Sequence, residues 1–178
     1  IYNEGTANLS GTTIEDCKVT NYLGDDDYVS KYGWGGGIHN ESGNLAVYQD
    51  CEITKCFATW GGGVSMSGGA VSIECSQLTQ NQGFYGGAIS VSNPNNVLPA
   101  VLPLGKKVKG FTDPDVLIEN NDATYGAGVY LTGNTYGSYF HKVKIKGNYG
   151  NYGVGVYMDT YHGKIDDYVS GVLEYVGA

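Results

Sequence analysis

No arginine occurs in the 178 residues; ten lysines face eighteen acidic residues, and the net charge is −8. Without guanidinium groups, an acidic chain is poorly suited to phosphate backbones, base edges or anionic lipid, so nucleic acid is excluded as a partner. Histidine is scarce: His39, His141 and His162 share no repeat position. No Ser/His/Asp phrase, phosphate-cradling loop or metal-ligand spacing accompanies them, so no catalytic residue, metal or cofactor is assigned. No apolar run is long enough to span a bilayer, and no membrane span is expected in this chain. Cysteine is limited to Cys17, Cys51, Cys56 and Cys75, without the paired Cys-x2-Cys spacing of a zinc site. All four prolines, Pro94, Pro99, Pro103 and Pro114, fall in one stretch.

What the chain has in excess is glycine, at 29, and tyrosine, at 16. They are organised into one recurring phrase: an aromatic residue, Gly, a small or apolar residue, Gly or Ala, then a β-branched residue. The aromatic positions are Trp34, Trp60, Tyr85, Tyr125 and Tyr152, at steps of 26, 25, 40 and 27. A period near 26 with one enlarged step is the signature of stacked repeats. Upstream of each aromatic lies an apolar residue, two arbitrary residues and an asparagine, as in Leu78–Asn81, Ile118–Asn121 and Ile145–Asn148. Ile53-Thr54-Lys55-Cys56 is the same phrase with Cys in the Asn place.

Such repeats predict an all-β, parallel β-helix of about five coils, each stacked about 4.8 Å from the next. Tight corners need positive φ, which glycine adopts without steric cost. Equivalent residues then form columns. Asn81, Asn121 and Asn148 are expected as a hydrogen-bonding ladder, and Trp34, Trp60, Tyr85, Tyr125 and Tyr152 as an aromatic one. Alternation puts Ile38, Leu45, Val47, Cys51, Ile53, Val64, Val71, Ile73, Leu78, Val143 and Ile145 inward, with Leu9, Ile14 and Val19 in the first coil. Thr54 then faces water. Thr20, Thr54 and Thr79 share a column that continues as Glu119 and Lys146, too irregular for an ice-binding face.

The domain reads as a single β-helix over 1–178, with loop insertions at about 22–33 and 92–114. The first insertion carries Asp25, Asp26 and Asp27, read as a solvated loop rather than a calcium site. The second, which proline should drive out of the stack, carries Lys106, Lys107 and Lys109 as a possible binding loop. From 161 to 178 the pattern fades into an incomplete coil or cap. Asp16-Cys17-Lys18-Val19-Thr20 matches Asp50-Cys51-Glu52-Ile53-Thr54, which predicts Cys17 stacked on Cys51, both as buried free thiols. Asn8 and Asn40 head N-glycosylation sequons. The chain starts in mid-pattern and is expected to come from a longer precursor.

Gly86-Gly87-Ala88-Ile89, with an apolar-x-x-Asn phrase such as Leu78–Asn81, resembles the repeats of chlamydial polymorphic outer membrane proteins and related autotransporter-type adhesins. The resemblance covers roughly 34–156 less the insertion; Ile or Leu replaces the family's Phe. It implies a right-handed helix of the pectin-lyase-like class and an adhesive role. The function expected is therefore a non-catalytic structural or adhesive module of a longer surface or fibre protein, extracellular or at the cell surface. Its partner would be a cell-surface protein, a glycan or another copy. The alternative is a polysaccharide-active lyase or hydrolase of the same fold. A lyase without Arg would need a Lys base. A hydrolase would need a carboxylate pair, and Asp166-Asp167 near His162 is the only adjacent Asp-Asp pair outside the Asp25–Asp27 run.

Overall fold

The structure is a computed structural model and describes residues 1–19, 33–93, 98–105 and 115–159. Among them every strand pairing is parallel and no helix occurs. Each turn of the chain deposits one strand on each of three long sheets. The first sheet stacks Tyr2–Asn3, Ile38–Asn40, Val64–Met66, Ile89–Asn93, Val129–Gly133 and Val156–Asp159. The second stacks Thr6–Ser10, Asn44–Tyr48, Ala70–Ile73, Pro103–Leu104 and Tyr139–Phe140. The third stacks Thr13–Glu15, Glu52–Thr54, Ser76–Thr79, Val116–Glu119 and Val143–Lys146. A short fourth sheet holds Gln82–Tyr85, Asp122–Tyr125 and Tyr149–Tyr152. Single bridges extend it backward through Lys18–Phe57–Gln82 and Trp34–Trp60–Tyr85. This is a parallel β-helix of about five coils.

The interior is columnar because the register repeats. Ile14, Ile53, Leu78, Ile118 and Ile145 form one buried column. Ile38, Val64, Ile89 and Val129 form another. Two corners show why the phrase repeats. At one, the residue before the ladder position is left-handed in every coil: Asp16, Lys55, Gln80, Asn120 and Gly147, with φ of 54°, 53°, 56°, 55° and 60°. At the other, the glycine after each ladder aromatic is left-handed. A side chain at Gly61 (φ 64°) would collide with the Val64 carbonyl.

Three expectations need correction. Residues 98–105 do not leave the stack: Ala100, Leu102 and Leu104 are core, and Pro103–Leu104 is a strand between two others. Val101 and Gly105 donate to Gly69 and Ile73 of the preceding coil, and the rung between them falls on Pro103, so the ladder skips one bond and continues. Second, Cys17 stacks on Cys56, not Cys51. Ile14 pairs with Ile53, and the Phe57 N–H donates to the Cys17 carbonyl at 2.8 Å. Third, the same register puts Glu15, not Thr20, beside Thr54, whose hydroxyl meets that of Thr79 at 3.0 Å. With stacked neighbours on both sides Thr54 is 5% exposed, so it does not face water. The sequon residue Asn40 is fully buried and donates to the carbonyls of Gly43 and Gly68, which leaves no room for a glycan. Asn8, in the second sheet, is exposed.

Candidate functional site

The aromatic ladder sits at the corner between the fourth and first sheets, each ring held by the left-handed glycine that follows it. Its rings stack in sequence: Trp34 on Trp60 at 5.1 Å, Trp60 on Tyr85 at 4.0 Å, Tyr85 on Tyr125 at 5.4 Å and Tyr125 on Tyr152 at 4.9 Å. Interplanar angles of 15–21° keep the rings near parallel. The strand spacing of about 4.8 Å suits offset stacking, so the backbone register presets this geometry. Tyr152 is exposed and the other four rings are half-buried, so the stack presents ring edges along one side of the solenoid. Phe84 adds an exposed ring beside Tyr85 and Tyr125.

Next to the ladder, the outward positions of the first sheet form a second row: Tyr2, His39, Ser65, Ser90, Tyr130 and Tyr157. Tyr130 stacks on Tyr157 at 5.4 Å and also approaches Tyr85 at 5.1 Å and Trp60 at 5.9 Å. Its ring therefore leans back over Ser90, where a larger side chain would block it. Ser90 is fully buried and its hydroxyl has no hydrogen-bond partner. At the other end Tyr2 and Trp34 both contact the His39 ring. The Tyr2 hydroxyl donates to Glu4, and that bond raises its pKa above the ordinary value.

His39 links two groups. Its Nε2 lies 2.8 Å from Glu41 Oε2 and its Nδ1 2.6 Å from Ser65 Oγ. The carboxylate accepts from Nε2–H, which leaves Nδ1 to accept the Ser65 hydroxyl proton. This is a Ser–His–Glu arrangement, but a nucleophile must present its oxygen to a carbonyl, and Ser65 is 0% exposed. In this fold the relay satisfies buried polar groups. Sequence reasoning missed it because Ser65 reaches the neighbouring His39 and Glu41 only through register. The signal available was the alignment of Ile38-His39-Asn40 with Val64-Ser65-Met66.

The asparagines lie inside the corner between the third and fourth sheets. Asn81 Nδ2 donates to Asn121 Oδ1 at 3.1 Å, and Asn121 Nδ2 to Asn148 Oδ1 at 3.0 Å. Each amide also donates to the apolar residue of its neighbouring phrase, Asn81 to the Ile53 carbonyl and Asn121 to that of Leu78. Each Oδ1 accepts a backbone N–H from the coil before, down to Cys56 at 3.0 Å. Asn81 and Asn121 are fully buried, so this ladder holds the coils together and offers nothing to a ligand. Lys106, Lys107 and Lys109, the run Asp25–Asp27, and His162, Asp166 and Asp167 lie outside the described residues. Among the described residues no group of three or more His, Cys, Asp or Glu converges, and no helix is long and apolar enough to cross a membrane. No family model, curated protein or solved structure matches this chain.

Proposed function

We propose that the chain is a non-catalytic extracellular module, a structural or adhesive β-helix segment of a longer surface or fibre protein, that engages a glycan or cell-surface protein through its aromatic ladder. The observation that carries this reading is the ladder itself: five rings in register, stacked at 4.0–5.4 Å along one corner. Rings serve contact surfaces because they add large area with little rotamer freedom. Here they are preordered by the coils, so a partner meets no ordering cost on this side. The resemblance of the repeats to surface adhesins points the same way. The rival enzyme reading has one observation in its favour, the Ser65–His39–Glu41 relay, and the burial of Ser65 opposes it.

The test uses a convenient fact: the only two tryptophans, Trp34 and Trp60, are both ladder rings. Their emission therefore reports the ladder directly. The protein is titrated with soluble neutral and acidic polysaccharides and applied to glycan- and cell-coated surfaces. A partner should perturb the emission, and the double substitution Tyr85→Ala/Tyr125→Ala should weaken adhesion by about tenfold or more, from two ring contacts of order 1 kcal/mol each. Unchanged adhesion in that variant removes the ladder from the reading. Release of reducing ends or unsaturated products from polysaccharide, with or without Ca²⁺ and abolished by Asp167→Asn, establishes the enzyme instead.

A further inference from the structure

The buried asparagine column does not end at Asn81. One backbone bond recurs at every level: Tyr149 N–H to the Asn121 carbonyl, Asp122 to Asn81, Gln82 to Cys56 and Phe57 to Cys17, all at 2.8–2.9 Å. The column is therefore Asn148, Asn121, Asn81, Cys56, Cys17. Its last two places are both cysteine. Where asparagines fill it, side-chain atoms of adjacent coils approach to 3.0–3.1 Å. The two thiols share one posture, each donating to the carbonyl two residues earlier: Cys17 to Glu15 at 3.4 Å and Cys56 to Thr54 at 3.2 Å. The Cys56 thiol also reaches the Ile14 carbonyl of the first coil at 3.7 Å. Cys56 is fully buried and Cys17 half-buried, so the pair has one sulfur within reach of a small molecule and one shielded behind it.

We propose that Cys17 and Cys56 are a redox site, a dithiol that closes into a disulfide and staples the first coil to the second. The oxidant is a small-molecule disulfide of the glutathione type. The Cys17 thiolate attacks it, forms a mixed disulfide and releases one thiol. The Cys56 sulfur then attacks Cys17, and the second thiol leaves. Two protein thiols lose two protons and two electrons, one S–S bond forms, and one small-molecule disulfide becomes two thiols. Burial pushes the Cys56 thiol up to about 11, which makes it a slow attacking group and Cys17 the point of entry. The adjacent-coil spacing of about 4.8 Å lies inside the Cα separation a disulfide spans. Cys51 is excluded from the pair because its sulfur points at the Tyr48 carbonyl and the Thr12 N–H. The inference does not depend on the binding role proposed above.

The experiment equilibrates the whole chain, in a Cys75→Ser background, with graded ratios of oxidised to reduced glutathione. Free thiols are then alkylated in denaturant and the protein is digested at lysine. Cleavage after Lys18 and Lys55 leaves Cys17, Cys51 and Cys56 on three different peptides. The expected result is a cross-linked Cys17–Cys56 peptide pair, 2 Da lighter than the reduced pair, with Cys51 alkylated throughout. The cross-link closes a loop of about forty residues, so the oxidised protein should melt about 10 °C higher than the reduced one. Adding Cys17→Ser should abolish that shift. Both cysteines remaining alkylatable in the most oxidising buffer, Cys17 linked to Cys51, or an equal shift with Cys17→Ser each overturns the proposal.

Discussion

Replacing Asn121 by alanine is the sharpest test of how the coils are held. Its side chain makes four bonds: Nδ2 to the Leu78 carbonyl at 3.0 Å and to Asn148 Oδ1 at 3.0 Å, and Oδ1 from the Asn81 N–H at 2.9 Å and from Asn81 Nδ2 at 3.1 Å. Two of the partners keep another bond after truncation. Asn148 Oδ1 still accepts the Asn121 backbone N–H, and Asn81 Nδ2 still donates to Ile53. The Leu78 carbonyl and the Asn81 N–H lose these side-chain bonds at a site that is fully buried. Leaving a buried polar group unpaired costs about 1–3 kcal/mol, so Asn121→Ala should destabilise by about 4 kcal/mol. Asn121→Asp separates hydrogen bonding from size. Its carboxylate can still accept from Asn81 but faces two acceptors, Leu78 O and Asn148 Oδ1. Burial and those acceptors raise its folded pKa above the unfolded value near 3.9. Stability is then present below the unfolded pKa and lost as pH rises through the folded one. The neighbouring Asn120 is the control: it is exposed with φ 55°, so Asn120→Gly should be close to neutral. Urea unfolding is followed by far-ultraviolet dichroism and by tryptophan emission, since a solenoid can lose one end before the other. A loss below about 1 kcal/mol for Asn121→Ala, or equal losses at 120 and 121, would refute the ladder argument.

Ile53→Asp should abolish folding or cost several kcal/mol, because it buries an unpaired charge; Thr54→Asp should also be costly, since Thr54 is 5% exposed and its hydroxyl is paired with Thr79. A mild Thr54→Asp, read by urea midpoint, would contradict the observed burial. Gly61→Ala places a methyl group against the Val64 carbonyl at φ 64° and should cost well over the ordinary ~1 kcal/mol of a left-handed alanine, whereas Gly5→Ala has open space and should be tolerated; thermal melts compare the two. The Cys56 thiol, raised by burial from 9.0 to about 11, stays protonated in the folded chain while the unfolded chain ionises. Its contribution is therefore whole below pH 9.0 and lost as pH rises through about 11; melting temperature against pH under reducing conditions should fall less steeply in Cys56→Ala over that window.

The aromatic and asparagine columns were legible in the chain because they recur at one period, and a fixed period in a stacked coil has a single geometric meaning. Trp60, Tyr85 and Asn81 needed no tertiary information to be placed beside their neighbours. The inward residues followed from alternation, as at Leu45, Val47 and Ile73, each buried. The first coil was different. Asp16-Cys17 and Asp50-Cys51 look alike locally, yet the register pairs Ile14 with Ile53 and so sets Cys17 against Cys56. Only the stacked backbone could choose, because the choice depends on which slip keeps Ile14 inside and a left-handed residue, Asp16, at the corner. Pro103 misled for a related reason. Proline forbids a donor, but whether a given position must donate depends on neighbouring coils, and here the ladder omits one rung and closes around it. Glu41 lies two residues from His39, but Ser65 met His39 through register alone, across 26 positions. Composition and period determined that there would be columns; the packing of one coil on the next decided which residues share them, since a strand's side chains find their neighbours in the adjacent coil and not along the chain.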